Sequence, residues 1–210
     1  MEHDARALIS AAALQTMRGT AQVTLSFGMS VAECDTFAEY VGVVDFGADR
    51  CRLDQQPYEG AEAMAFEGPV SYVRQTDGRW TWTEGAAGTR SMFDPRWVLE
   101  ALVHAQKSAR ATVGCAVEVA LDYETLNAGT DIGLSRDWDE STALVRLSPS
   151  GRIRRATVTH RSHDRPEAWM RSAHQITETS AAVTVELPKL EAAIPLGQYV
   201  DEQMDGEQDA

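Results

Sequence analysis

Lysine is almost missing from this chain: Lys107 and Lys189 stand against seventeen arginines. Cysteine is scarce as well, with Cys34, Cys51 and Cys115 far apart. An odd count with no close pair excludes a disulfide framework and supplies no clustered thiolates for zinc. Cys51 and Cys115 fall within alternating apolar patterns and read as buried core thiols. No apolar run approaches the roughly 18 residues that a membrane-spanning helix needs. The first residues, Met1-Glu2-His3-Asp4-Ala5-Arg6, place two acids where a signal peptide needs net positive charge. No cysteine near the start offers a site for a lipid anchor. These absences imply a cytoplasmic location for a complete chain, and the cell envelope for a processed or truncated one. Nothing matches G-x-S-x-G, a P-loop or a dinucleotide fingerprint.

What is present is 210 residues, 43% hydrophobic, with a formal charge of −13. That length suits one domain with a short extension. The apolar fraction fills a sizeable core and argues against wholesale disorder. A surface this acidic repels phosphate backbones, so nucleic acid is a poor partner. The charge is uneven. Residues 1–100 are net −7, residues 101–197 net −1, and the last 13 residues net −5. Inside the middle region, residues 146–171 carry seven arginines against Asp164 and Glu167.

Hydrophobic periodicity orders the elements. Residues 4–17 have helical spacing, with Asp4 as cap and Gly19 as stop. The period then becomes 2: Val23, Leu25, Phe27 and Met29 alternate with small polar residues over 22–30. Further strands are predicted at 40–46, 50–55, 61–67, 70–75 and 79–83. Gly47-Ala48-Asp49 and Asp77-Gly78 mark tight turns between them. Six consecutive strands with short turns make an antiparallel meander. Asp94 caps a helix over 94–107, with Pro95 in its first turn and Trp97, Val98, Ala101, Leu102 and Ala105 as its stripe. A single 13-residue strand is predicted over 111–123, then a loop with a short helix to 139. A hairpin follows at 142–147 and 152–160, and closing strands at 169–179 and 182–187. The acidic tail 198–210 lacks aliphatic periodicity and reads as disordered. Helices between runs of antiparallel strands define an α+β class.

Candidate chemistry is thin. His160-x-x-His163 supplies at most two metal ligands, and both read as exposed hairpin residues, with His174 eleven positions on. Asp137, Asp139 and Glu140 read as a solvated acidic loop. No metal site, cofactor or catalytic set is expected. Arg152, Arg154 and Arg155 could meet an anionic group or an acidic partner, or simply form a solvated strand face. Trp80 and Trp82, two residues apart, share one face of a strand. A concave sheet lined with such side chains suits an apolar ligand. The same residues would equally suit a closed core.

The order of these elements resembles a known family. The carrying phrases are Gly-Val-Val-Asp-Phe at 42–46, Glu-Ala-Met-Ala-Phe-Glu-Gly-Pro-Val-Ser-Tyr-Val-Arg at 62–74, and the Asp77-Gly-Arg-Trp80 hairpin. To these add the Pro-led helix with Val98-Leu99-Glu-Ala-Leu102, Gly151-Arg-Ile-Arg154, and Val183-Thr-Val-Glu-Leu-Pro188. Together, over residues 4–190, they resemble the LolA-like superfamily and its LppX/LprG type of lipid carrier. The resemblance implies an incompletely closed half-barrel of about ten to eleven antiparallel strands, its concave face covered by helices. It implies a non-enzymatic carrier holding a lipid acyl chain between sheet and helices. Val23, Leu25, Phe27, Trp80, Trp82, Val98 and Leu102 would then face the cavity or its lid. The alternative is an intracellular regulatory or interaction module that keeps the fold without lipid transport.

Overall fold

The computed structural model describes residues 2–31, 34–56, 63–86, 88–112, 116–129, 138, 140–162, 164–165, 167–179 and 183–208. Helix α1 (Glu2–Thr16) opens the chain and leads into the meander β1 (Thr20–Val31), β2 (Cys34–Asp45), β3 (Arg50–Gln56), β4 (Ala63–Glu67), β5 (Val70–Arg74) and β6 (Trp80–Glu84). Helix α2 (Pro95–His104) follows, then β7 (Gln106–Ala111), β8 (Ala116–Leu121) and α3 (Tyr123–Gly129). The chain continues through β9 (Glu140–Leu147), β10 (Ile153–Arg161), β11 (Trp169–Glu178), β12 (Ala193–Pro195) and α4 (Leu196–Gln208). All twelve strands form one open sheet in the order β12-β6-β5-β4-β3-β2-β1-β11-β10-β9-β8-β7. Every pairing is antiparallel except β12 on β6. This is the open half-barrel that the resemblance implies, with twelve strands where ten or eleven are expected.

Four expectations need correction. The strand predicted over 111–123 begins only at Ala116, because β7 and β8 form a hairpin, and the helix before it stops at His104. Val113 and Cys115 lie outside the described residues. The closing strand at 182–187 does not join the sheet. Residues 183–187 keep an alternating burial pattern, with Val185 buried, but use it to cover the outer face of the sheet, where Leu187 packs beside Tyr72, Trp80 and Trp82. The tail read as disordered forms α4. Arg79 holds it, at 2.7 Å from the Glu202 carboxylate and with its guanidinium 4.7 Å from the Tyr199 ring centroid. Finally, His160, expected to be an exposed hairpin residue, is buried, as is His174.

Strand alternation gives the sheet two faces. The inner face carries Val23, Leu25, Val44, Leu53, Phe66, Val119, Val145 and Ile176, and α1 and α2 lie on it. Nearly every side of α2 is buried, so it is the centre of the core rather than a lid. Its amino end is fixed by charge. Asp94 caps the helix by accepting from the Arg96 backbone N–H at 3.0 Å. The Arg96 guanidinium is 2% exposed and grips Asp94 through Nε at 2.8 Å and Nη2 at 2.5 Å. Its Nη1 reaches Asp49 at 2.6 Å, in the β2–β3 turn. Asp49 has a positive φ of 56°, a conformation unusual for a residue with a side chain. Arg90 adds contacts to Asp49 at 2.9 Å and Glu100 at 2.7 Å. Charges from one turn, one loop and one helix are thereby satisfied together, which a buried ion cluster requires.

Strand curvature has a sequence mark at Gly42. A Cβ there would lie 1.8 Å from the Arg52 carbonyl oxygen, so β2 and β3 approach where only glycine fits.

Replacing Arg96 by methionine leaves buried Asp94 with only the more distant Arg90, at 3.7 Å, and should lower unfolding free energy by about 3–5 kcal/mol in urea titrations. The same change at Arg50, whose ion pair with Glu67 is exposed, should cost less than about 1 kcal/mol. Gly42→Ala should cost about 1–3 kcal/mol by overpacking, although alanine adds no polar group. A Gly42→Ala protein as stable as the parent would refute the close approach of β2 and β3.

Candidate functional site

The pocket that could hold a ligand lies between α2 and α3. It has a volume of about 310 Å³, is half open to solvent, and is lined by Trp97, Glu100, Ala101, His104, Ala105, Thr125, Leu126, Ala128 and Gly88. Spacing explains the α2 wall: residues 97, 101 and 105 recur at four-residue steps, and 100 and 104 flank them, so all lie on one side. Helix α3 supplies the opposite wall, and Asp122 fixes its start. The Asp122 carboxylate accepts from the Thr125 N–H at 2.9 Å and the Thr125 hydroxyl at 2.7 Å. These bonds hold its pKa down at about 2, with Lys107 assisting at 3.2 Å. Its backbone N–H also donates to the Ala105 carbonyl at 2.7 Å, tying α3 to the end of α2.

The residues expected to face a cavity divide into three groups. Val23, Leu25, Val98 and Leu102 meet on the inner face, but all are fully buried in one continuous core. Phe27 belongs to a smaller cluster with Met170, beside Met29, Met92, Phe93, Tyr123 and Trp138. Trp80 and Trp82 lie on the outer face, packed with Ala65, Tyr72 and Ala193. The register explains this. Trp82 stands opposite Tyr72, while Thr81 stands opposite Val73 and points inward. Trp82 also borders a smaller pocket of about 190 Å³ beside Leu196. Thus the expected constellation does not assemble as one site. The α2 stripe residues Trp97, Ala101 and Ala105 reach the pocket; Val98 and Leu102 of the same stripe turn into the core. Glu100 and His104 flank that stripe as polar neighbours, whereas Thr125, Leu126 and Ala128 carried no sequence signal, since a seven-residue helix after a hairpin has too few turns to show a stripe.

The pocket floor has a polar underside. The Trp97 ring lies 6.3 Å from that of His160 and 6.0 Å from that of His174. Its indole N–H donates to the Met92 carbonyl at 2.6 Å. His160 Nδ1 pairs with the Ser141 hydroxyl at 2.8 Å, and His174 Nε2 with the Ser172 hydroxyl at 3.2 Å. The other nitrogen of each ring, His160 Nε2 and His174 Nδ1, has no hydrogen-bond partner among the described residues. A serine beside a histidine suggests a nucleophile and its base. Here both pairs are buried, and among the described residues no carboxylate bonds either ring. Cys51 is likewise inert: burial first, then the negative charge of Asp94, pushes its thiol pKa well up. No group of three or more His, Cys, Asp or Glu among the described residues could hold a metal ion. His163, Asp137 and Asp139 lie outside the described residues. No described helix is long and apolar enough to cross a membrane.

Arg154 and Arg155 are exposed as expected, whereas Arg152 is half-buried and paired with Glu178 at 3.3 Å.

No family model and no curated protein sequence matches this chain. Solved structures do. An uncharacterized conserved protein from Thermus thermophilus superposes with a TM-score of 0.52 at 8% identity, covering 89% of this chain and 96% of that one. That likeness shows a shared fold. The Mycobacterium tuberculosis lipoprotein LppX covers 86% of this chain and 98% of its own, at 12% identity and a TM-score of 0.49. A LolA superfamily protein from Nitrosomonas europaea covers 88% and 94%, at 10% identity and a TM-score of 0.38.

The buried histidines give a pH dependence. Burial pushes His160 down to about 4 and His174 down to about 3, so both rings are neutral in the folded protein. The unfolded chain takes up their protons near the ordinary 6.5. This stabilisation is therefore complete above pH ~6.5 and is lost as pH falls toward 4 and then 3, by up to about 1.4 kcal/mol per histidine per pH unit. Thermal midpoints should drop over that window. A His160→Leu/His174→Leu protein should show a shallower drop, and an unchanged slope would refute the assignment.

Proposed function

We propose that this chain is a non-enzymatic binding or carrier protein for an amphiphile, whose apolar chain lies between α2 and α3. The half-open pocket of about 310 Å³ carries this reading. It sits at the low end of the ~300–1,000 Å³ that small-molecule sites occupy. Trp97, Ala101, Ala105 and Leu126 offer an apolar floor and walls, while Glu100, His104 and Thr125 offer polar groups for a head. Affinity would come from burying apolar ligand surface, at about 25 cal/mol per Å² before ordering costs. The main core would stay closed throughout, because Val23, Leu25, Val98 and Leu102 already fill it. The ligand would therefore rest against α2 from the side away from the sheet. Trp97 would report its arrival, since its ring forms part of the floor.

Displacement of a fluorescent fatty acid, and native mass spectrometry after mild extraction, test this reading. Ala128 is exposed at the pocket wall, so Ala128→Trp should fill space there without disturbing the core. It should weaken probe binding about tenfold, the equivalent of ~1.4 kcal/mol of lost contact. Trp80→Ala and Trp82→Ala, on the other face of the sheet, should leave probe affinity unchanged. A parent protein that binds no probe and carries no lipid would end the proposal.

A further inference from the structure

The outer face of β9, β10 and β11 carries an unusual arrangement of charge. Arg155 stands directly opposite Arg146 in the β9–β10 ladder. Like charges at directly opposed positions destabilise a sheet. The ladder also shifts register between Ile153 and Arg155. Ile153 and Ala156 both point into the core, and the extra residue lets Arg154 and Arg155 both reach solvent. Three guanidiniums, from Arg146, Arg154 and Arg155, are thus exposed together, and none forms an ion pair among the described residues. Arg110 and Arg152 nearby are neutralised by Glu118 and Glu178. Arg161 faces Glu140 across the ladder.

The same face carries exposed apolar groups. Leu144 is two residues from Arg146 on β9 and 41% exposed. The guanidinium of Arg171, on β11, lies 5.2 Å from the half-buried Trp169 ring. That ring would be 3.3 Å from a Cβ at Gly28, so it lies over β1. Gly28 pairs with Phe37 on β2, which is 71% exposed, the most exposed large hydrophobic side chain among the described residues. The acidic helix α4 packs on β6 and β12, seven strand spacings or roughly 34 Å along the sheet from β10. At physiological salt its charge is screened within about 8 Å and does not reach the arginines.

We infer that this outer face docks onto an anionic lipid bilayer, with Arg146, Arg154 and Arg155 meeting headgroup phosphates and Phe37 and Trp169 entering the interface. On this one face Arg146 stands beside Leu144 and Arg171 beside Trp169, and cations that share a face with exposed apolar groups match both layers of a membrane surface: anionic heads and the apolar boundary below. The ligand pocket is on the helical side of the sheet, so docking leaves it uncovered, and the inference stands whether or not the pocket binds an amphiphile.

Vesicle flotation tests it, using phosphatidylcholine alone and phosphatidylcholine mixed with phosphatidylglycerol. The protein should float only with the mixed vesicles, and less so at high salt. The triple variant Arg146→Gln/Arg154→Gln/Arg155→Gln should lose on the order of a hundredfold in partitioning, given about fivefold per surface cation. Its thermal midpoint should stay level or rise, because the opposed Arg pair is gone. Phe37→Ser should weaken partitioning while leaving its salt dependence intact. Arg50→Gln, which removes one positive charge elsewhere, should have almost no effect. Equal partitioning to both vesicles, an Arg50→Gln loss matching the triple variant per charge, or capture of inorganic phosphate or an acidic peptide without vesicle binding would each overturn the inference.

Discussion

Arg96 is the constraint on which the arrangement of this molecule depends. A guanidinium buried beside a helix start is tolerable only when carboxylates meet it from several directions. Asp94 meets it from the helix cap, and Asp49 from the turn between β2 and β3. That geometry fixes α2 relative to the first half of the sheet. Everything on α2 inherits its position: Val98 and Leu102 go to the core, and Trp97 and Ala101 to the pocket. The other end of the helix is held separately. Gln106 contacts Ser10 of α1 at 2.8 Å, and Arg6 reaches the Gln106 carbonyl at 2.8 Å. Electrostatics therefore fix one end of α2 and side-chain amide contacts the other, with apolar packing between them.

The first half of the sheet was legible in the sequence because its signals are local. Alternation at Val23, Leu25 and Phe27 and turns at Asp49 and Gly78 specify strands and connections within a few residues of each other. The helix at Asp94-Pro95 was equally plain, since cap and stripe lie within a dozen residues. What alternation cannot say is which face of a strand points inward. Trp80 and Trp82 gave a strong period-2 signal, but the inner position belongs to Thr81, which donates to the Val73 carbonyl at 3.2 Å. Two tryptophans face outward because a distant segment around Leu187 and Ala193 covers them. That pairing spans about half the chain and leaves no local trace. His160 misled for a related reason. Its polarity suggested a surface position, whereas its place in the inward row of β10 with Val158 buries it. The pocket was half legible: the α2 wall follows from helical spacing, while the α3 wall depends on how a short helix is tied back to Ala105.

The two faces of the sheet do different work. The inner face is closed by α1 and α2 and supplies most of the apolar burial. The outer face over β9 to β11 and β1 mixes threonine, serine, glutamine and arginine with Leu144 and Trp169, and its β4–β6 end is covered. Net charge conceals this division. A chain of −13 carries a local cluster of unpaired arginines, because the acids concentrate elsewhere, in the first half and in α4. The bulge at Ile153–Arg155 shows how little is needed: one additional residue in one strand converts an alternating row into adjacent exposed cations.

An open sheet has two free edges, and a free edge is a template for another chain to extend. One edge here is β7, where Lys107 and Arg110 project into solvent, each paired with an acid (Asp122 and Glu118), so that a row of charged side chains borders the edge. The other would be β6, but β12 lies along it in the parallel sense for three residues and ends at Pro195, which has no N–H to offer. A sheet that stops short of closing into a barrel is thus terminated at both margins by different means. Incomplete closure leaves the helices access to the inner face without leaving the molecule prone to stack strand upon strand into fibres.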